Sequence, residues 1–128
     1  MPSAAKKGDK ITATDTHIVM IPPAVPTPIP HSFDGVIDDG LSDDVNIEGM
    51  PATTVDSTAT NTPSHIPQGG PFQSPPSNKA TITKGSDSVK INGKKAARDG
   101  DTAETCNDPA DMPVGTVKVS SGTVNIGG

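Results

Sequence analysis

The chain has 128 residues, a net charge of −5 and a pI near 4.9, a length that predicts one small domain over residues 1–128. The acidic balance argues against a nucleic-acid or anionic-membrane surface. Trp and Tyr are absent, and Leu, Ile, Val and Phe number 23 of 128, under the roughly 20% expected of a self-sufficient apolar core. Such a chain stays unfolded, borrows a partner's surface, or carries a staple such as a structural metal.

Ile and Val supply ten residues each and Leu only Leu41. β-branched side chains fit a pleated surface and crowd a helix, and fourteen Pro with thirteen Gly break the chain too often for long helices. The predicted class is all-β. The N-terminal M-P-S-A-A-K-K-G-D-K is charged, and the apolar stretch after it, residues 18–21, is cut short by Pro22-Pro23. That is too short for a signal peptide or a membrane span, which predicts a chain made and kept in the cytosol unless another machine exports it. Residues 21–31 and 63–76 are dense in proline, which fixes φ and removes a donor. The expectation for both is a stiff polyproline-II loop rather than a central strand. Flexible linkers, or ligands for an aromatic groove, are the other reading of such segments.

The pattern V-x-I-x-G recurs at residues 45–49, 89–93 and 124–128. Alternation closed by glycine marks a half-buried strand entering a turn, and three copies predict threefold internal repetition. Downstream of the first two, Ala52 and Ala96 fall in register; the third stops at Gly128. Three Asp-led polar segments follow the same count, and each ends in a metal-capable side chain: Asp9 to His17, Asp56 to His65 and Asp101 to Cys106. His31 closes the first proline stretch and adds a fourth donor. Three imidazoles and one thiolate make a complete tetrahedral set for zinc, and four protein ligands close the site and make it structural. Metal binding would then supply folding free energy that the small core lacks. The linear spacing matches no compact zinc finger. Solvated histidines and an inert cysteine also account for these residues one at a time, although Cys106 sits among unusually polar neighbours.

Residues 85–106, G-S-D-S-V-K-I-N-G-K-K-A-A-R-D-G-D-T-A-E-T-C, resemble the repeat of PAAR proteins, the tip proteins of bacterial contractile injection machines. Residues 45–59 look like a second copy. Residues 25–45 and 65–73 are similar to the PAAR-like branch of phage-tail-like particles, so the resemblance spans essentially the whole chain. The departures are Pro51-Ala52-Thr53-Thr54 in the first copy and Lys95 in place of proline in the second, which leaves Arg98 without a counterpart in the first. The resemblance implies a cone, a three-sided pyramid of short β-sheets with its apex held by one zinc. The carried-over ligands are His17, His31, His65 and Cys106. It further implies a structural, non-enzymatic tip that caps a trimeric β-helical spike, sharpens it for envelope puncture, and has effector cargo as a second partner. No nucleic acid and no self-oligomer are expected, membrane contact is transient, and no toxin domain is expected after Gly128. The chain would assemble in the bacterial cytoplasm and leave it with the contractile particle.

Two other functions fit parts of the sequence. Cys106 with His65 could form a nucleophile and its base in a hydrolase, although no local signature of that class is present. The proline-rich stretches also suit a disordered binding segment.

Overall fold

The β-branched composition is realised as ten strands, with no helix among the described residues. The computed structural model describes residues 2–62, 64–67, 69–108, 110–119 and 122–127; Pro63 and Gln68 of the second proline stretch and Gly128 of the third V-x-I-x-G lie outside them. A long hairpin, β1 (Lys10–Ile21) and β2 (Val25–Asp39), is followed by a tight hairpin, β3 (Asn46–Ile47) and β4 (Met50–Pro51). Strands β5 (Thr58–Asn61) and β6 (Lys79–Ile82) then precede a second tight hairpin, β7 (Lys90–Ile91) and β8 (Lys94–Lys95). Strands β9 (Thr102–Thr105) and β10 (Met112–Lys118) complete the set. Six strands close into one antiparallel sheet in the order β1-β10-β9-β6-β5-β2.

The threefold repetition is built into the backbone. In the unit at residues 45–57, the Ala52 N–H donates to Val45 O at 2.9 Å; in the unit at residues 89–101, Ala96 donates to Val89 O at 3.0 Å. The third V-x-I-x-G pairs instead with residues near the N-terminus: Ser3 bridges Asn125, and the Ala4 N–H donates to Val124 O at 2.8 Å. Residues 2–9 are therefore the missing copy, and Lys6 stands where Arg98 and Thr54 stand in the other two. The sequence reading placed Asp56 opposite Asp9 and Asp101, and the structure corrects this by one residue. Asp56 takes the positive φ of 78° that Gly8 and Gly100 hold at 94° and 89°, and Ser57 takes the carboxylate's place. Its Oγ accepts the Thr54 N–H at 3.0 Å, as Asp9 accepts that of Lys6 at 2.9 Å and Asp101 that of Arg98 at 2.7 Å.

At the centre of this base the three units close a ring. Ala5 donates to Ala97 O, Ala97 to Thr53 O and Thr53 to Ala5 O, at 3.0, 3.0 and 3.1 Å. On one side Ala4, Ala52 and Ala96 pack with Ile47, Ile91 and Ile126. On the other, Ile37, Ile82 and Val117 lead the larger core with Ile11, Phe33 and small alanines. Small residues at the centre let three backbones meet, which explains how so few large apolar side chains suffice.

The first proline stretch is not a polyproline loop. From Val25 onward it is strand, paired to β1 at twelve successive positions from Lys10 opposite Val36 to Ile21 opposite Val25. Pro26, Pro28 and Pro30 fall at alternate positions with exposed rings. Because N–H groups alternate between strand edges, all three missing donors lie on one edge, the one away from β1. Strand β5 pairs with β2 only from Gly35 onward, so these prolines blunt an edge that has no strand partner there among the described residues. The second stretch crosses the far end of β1: Met20 donates to Pro71 O and Gln73 to Ile18 O, each at 2.8 Å. Gly70 permits the approach, since a Cβ there would lie 2.0 Å from the Met20 carbonyl oxygen. The molecule thus narrows from a three-sided base to one long hairpin with a proline-rich strap, an all-β cone-like fold.

If the third unit is equivalent to the others, Ile47→Ala, Ile91→Ala and Ile126→Ala should each cost about 2–3 kcal/mol. A near-zero cost for Ile126→Ala by urea denaturation would show that the chain ends do not form a unit. Arg98→Ala should cost under about 1 kcal/mol, because its pair with Asp101 is a local i,i+3 contact and Thr54–Ser57 does the same backbone work uncharged; a loss above about 2 kcal/mol would contradict this.

Candidate metal centre

Strand alternation sets the site. On β1, Asp15 and His17 point to the same inner face as Ile11, four and six residues further from the base, roughly 13–20 Å along the strand. His31 lies on β2 directly opposite Asp15. His65 follows β5, and Cys106 follows β9 immediately. His17 and His65 each lie eight residues beyond their unit's turn-closing residue, Asp9 and Ser57. The three excursions of the repeat therefore bring one donor each to a common region, and the return strand of the longest one adds His31.

The donor atoms of Asp15, His17, His65 and Cys106 all lie within 4.8 Å of one another. Cys106 Sγ is 3.7 Å from His17 Nε2, and Asp15 Oδ2 is 3.1 Å from His65 Nε2. The imidazole centres of His17, His31 and His65 are 4.8–5.5 Å apart. Zn–N bonds near 2.0–2.1 Å would place three tetrahedral imidazoles with their centres roughly 5 Å apart. His31 donates its Nδ1–H to Ile29 O at 2.9 Å, which leaves the Nε2 lone pair bare; that atom is buried and has no hydrogen-bond partner among the described residues. A carbonyl-fixed tautomer is how a metal-ligating histidine is usually oriented. The residues present therefore fit a metal ion, and a nitrogen, sulfur and carboxylate donor set is compatible with zinc.

The surroundings hold the donors in place. Asn78 Oδ1 accepts the His65 N–H at 2.8 Å, and Asn61 Nδ2 reaches both Asn78 Oδ1 and His65 Nδ1, at 3.2 and 3.3 Å. Asp108 Oδ2 accepts the Ile18 N–H at 2.8 Å and stands 3.6 Å from His17 Nδ1. Both phenylalanines pack on the cluster, Phe72 against His17 and His31 and Phe33 against His65. The sequence reading did not single out Asp15, Asn61, Asn78 or Asp108. The available signal for Asp15 was D-T-H on a strand, which puts a carboxylate and an imidazole on one face.

The family model for the PAAR motif matches residues 27–108 and 72–128, most of the chain. The chain belongs to the PAAR family. No curated protein matches it. Membership supports a spike-tip role in a contractile injection or type VI secretion machine and implies association with a spike. It also gives the motif a physical meaning in this PAAR chain. The paired alanines of residues 4–5 and 96–97, with Ala52-Thr53, are the positions where the three units meet.

The cluster is strongly buried for its polarity. Burial pushes the Cys106 thiol up to about 11, helped by the Asp15 carboxylate, against smaller opposing hydrogen bonds from Asn78 and Ser77. Burial and the neighbouring His65 hold His17 below its ordinary value, although Asp108 and Asp15 pull the other way. Metal binding must then displace the thiol proton. Without metal, the folded state keeps the thiol protonated while an exposed thiol ionises near 9.0. This contribution is complete below pH 9 and is lost as pH rises towards 11, an effect of about 3 kcal/mol. Chelator-treated protein should therefore weaken over that interval in denaturant melts, and Cys106→Ser should lack this component. Equal pH slopes in the two proteins would contradict the burial argument.

Proposed function

We propose that the chain is a non-enzymatic tip that caps the trimeric β-helical spike of a contractile injection machine, one cap per trimer. The carrying observation is the base. Three backbone-equivalent units surround one ring, and each presents a partly exposed valine, Val45, Val89 and Val124 at 36, 36 and 40% exposure. A single chain with this symmetry suits a partner made of three identical chains, because each unit meets the same surface. Exposed strand edges at such a base would be covered on docking.

One structural zinc held by His17, His31, His65 and Cys106 completes the reading. When bound, zinc ties segments far apart in sequence to one point and converts binding free energy into folding free energy. His31 is pre-oriented by Ile29, Asn61 and Asn78 hold the His65 loop, and the two phenylalanines pack against the imidazoles. Sheath contraction would drive this stiff point through a target envelope, with membrane contact only in passing. Assembly in the bacterial cytoplasm and exit with the particle follow from that role, and effector cargo would travel with it. The raised Cys106 thiol opposes the nucleophile reading, since a catalytic cysteine needs a lowered one.

Co-expression with a spike trimer should yield a complex of one cap per three spike chains and about one zinc per cap. Replacing Val45, Val89 and Val124 together by lysine should abolish capture while leaving the zinc content unchanged. A well-folded spike trimer that does not retain the wild-type chain would overturn the capping role, and folded wild-type protein without metal would overturn the zinc.

A further inference from the structure

Asp15 is the group that neither the repeat nor the four-ligand zinc set accounts for. It is fully buried, at 0% exposure, yet it carries a carboxylate. One oxygen, Oδ1, accepts from the hydroxyl of Thr105, itself fully buried. The other, Oδ2, turns to the cluster and lies 3.1 Å from His65 Nε2, 3.5 Å from Cys106 Sγ and 3.9 Å from His17 Nε2. Among the described residues, no lysine or arginine is one of its partners.

A buried carboxylate without a cation is costly, and proteins pair such charges or place them on metals. These contacts are hydrogen bonds in the metal-free chain, and they place Oδ2 against the very atoms, His65 Nε2 and Cys106 Sγ, that would bind an ion. Bonds of about 2.0–2.3 Å to one ion set neighbouring donor atoms roughly 3–4 Å apart. Oδ2 meets that condition with three donors at once. Charge points the same way. A divalent ion with three neutral imidazoles and one thiolate leaves a buried unit positive charge, which the Asp15 carboxylate cancels.

We propose that Asp15 binds the metal through Oδ2 as a fifth donor, beside His17, His31, His65 and Cys106, and makes the buried centre electrically neutral. The proposal rests on the metal reading above, and it changes the geometry expected of the ion from four to five donors. Thr105 acts as a positioning residue that holds the far oxygen. In the metal-free chain the carboxylate is a liability, so its removal should have opposite effects in the two states.

The test uses the full-length chain, metal-free and reloaded with Zn2+ or Co2+. Asp15→Asn keeps the shape and removes the charge. It should lower zinc affinity ten- to hundred-fold in chelator competition, and it should melt no lower than wild type when metal-free. The Co2+ form should change from the weak visible bands of a five-donor centre to the intense bands of a tetrahedral one. An unchanged Co2+ spectrum overturns the proposal whatever the loss of affinity, since a carboxylate outside the shell also lowers affinity, and zinc affinity within threefold of wild type overturns it as well. So does a metal-free variant that melts well below wild type, which would make Asp15 a purely structural residue. If the wild-type chain takes up neither ion, the metal reading itself falls, and that is seen before any variant is compared.

Discussion

Everything in this molecule is arranged around three peptide groups that bond in a ring. The Ala5, Ala97 and Thr53 amides each donate to the carbonyl of the next, at 3.0–3.1 Å. Such a ring requires three backbones to approach closely, and only small side chains or a tightly packed threonine fit around it. Thr53 occupies the third position fully buried, with a hydroxyl that finds no partner among the described residues. The ring in turn sets the direction of the strands that leave it. Each unit turns upward through a positive-φ residue, Gly8, Asp56 or Gly100, into β1, β5 or β9.

That geometry explains how a chain poor in large apolar residues can fold. Two modest apolar clusters lie on either side of the ring, and between them the backbone satisfies itself across units rather than along one sheet. Above the larger cluster the packing becomes polar. Asp15, His17, His31, Thr105 and Cys106 are all buried there. A polar interior of this kind is stable only when its groups are paired or bound to an ion. The apolar base and the polar centre therefore divide the work. The base holds the three units in register, and the centre gathers segments that have little hydrophobic reason to meet.

The unequal lengths of the three excursions also acquire a cause. A symmetric trio would bring three donors, but the long β1–β2 hairpin passes the centre twice and so supplies Asp15, His17 and His31 from one unit. Prolines on its free edge keep that extended hairpin from recruiting another strand, while the strap around Gly70 and Phe72 covers its other edge. Stiffness at the narrow end thus comes from strand pairing plus proline, consistent with a family whose members work as spike tips.

The all-β class, the V-x-I-x-G repeat and the metal-capable chemistry of His17, His65 and Cys106, which fold into one cluster with Asp15, were legible in the sequence, because alternation, glycine closure and residue chemistry are local properties. The proline-rich residues 25–31 were misread as loop because proline spacing matters only once the free edge of the strand is known. Asp56 was aligned in place of Ser57 because residue type suggested the carboxylate, whereas the turn needed a positive φ first and an acceptor second. What tertiary structure alone decided is the third unit and the burial of Asp15 beside the histidine and cysteine cluster. Residues 2–9 and 124–127 lie at opposite ends of the chain, and no local pattern links them until backbone pairing closes the ring. Asp15 looks like any strand carboxylate until folding takes it out of water beside a thiol and three imidazoles. Burial, which depends on the whole chain, is what turns that ordinary charge into a group that needs a cation.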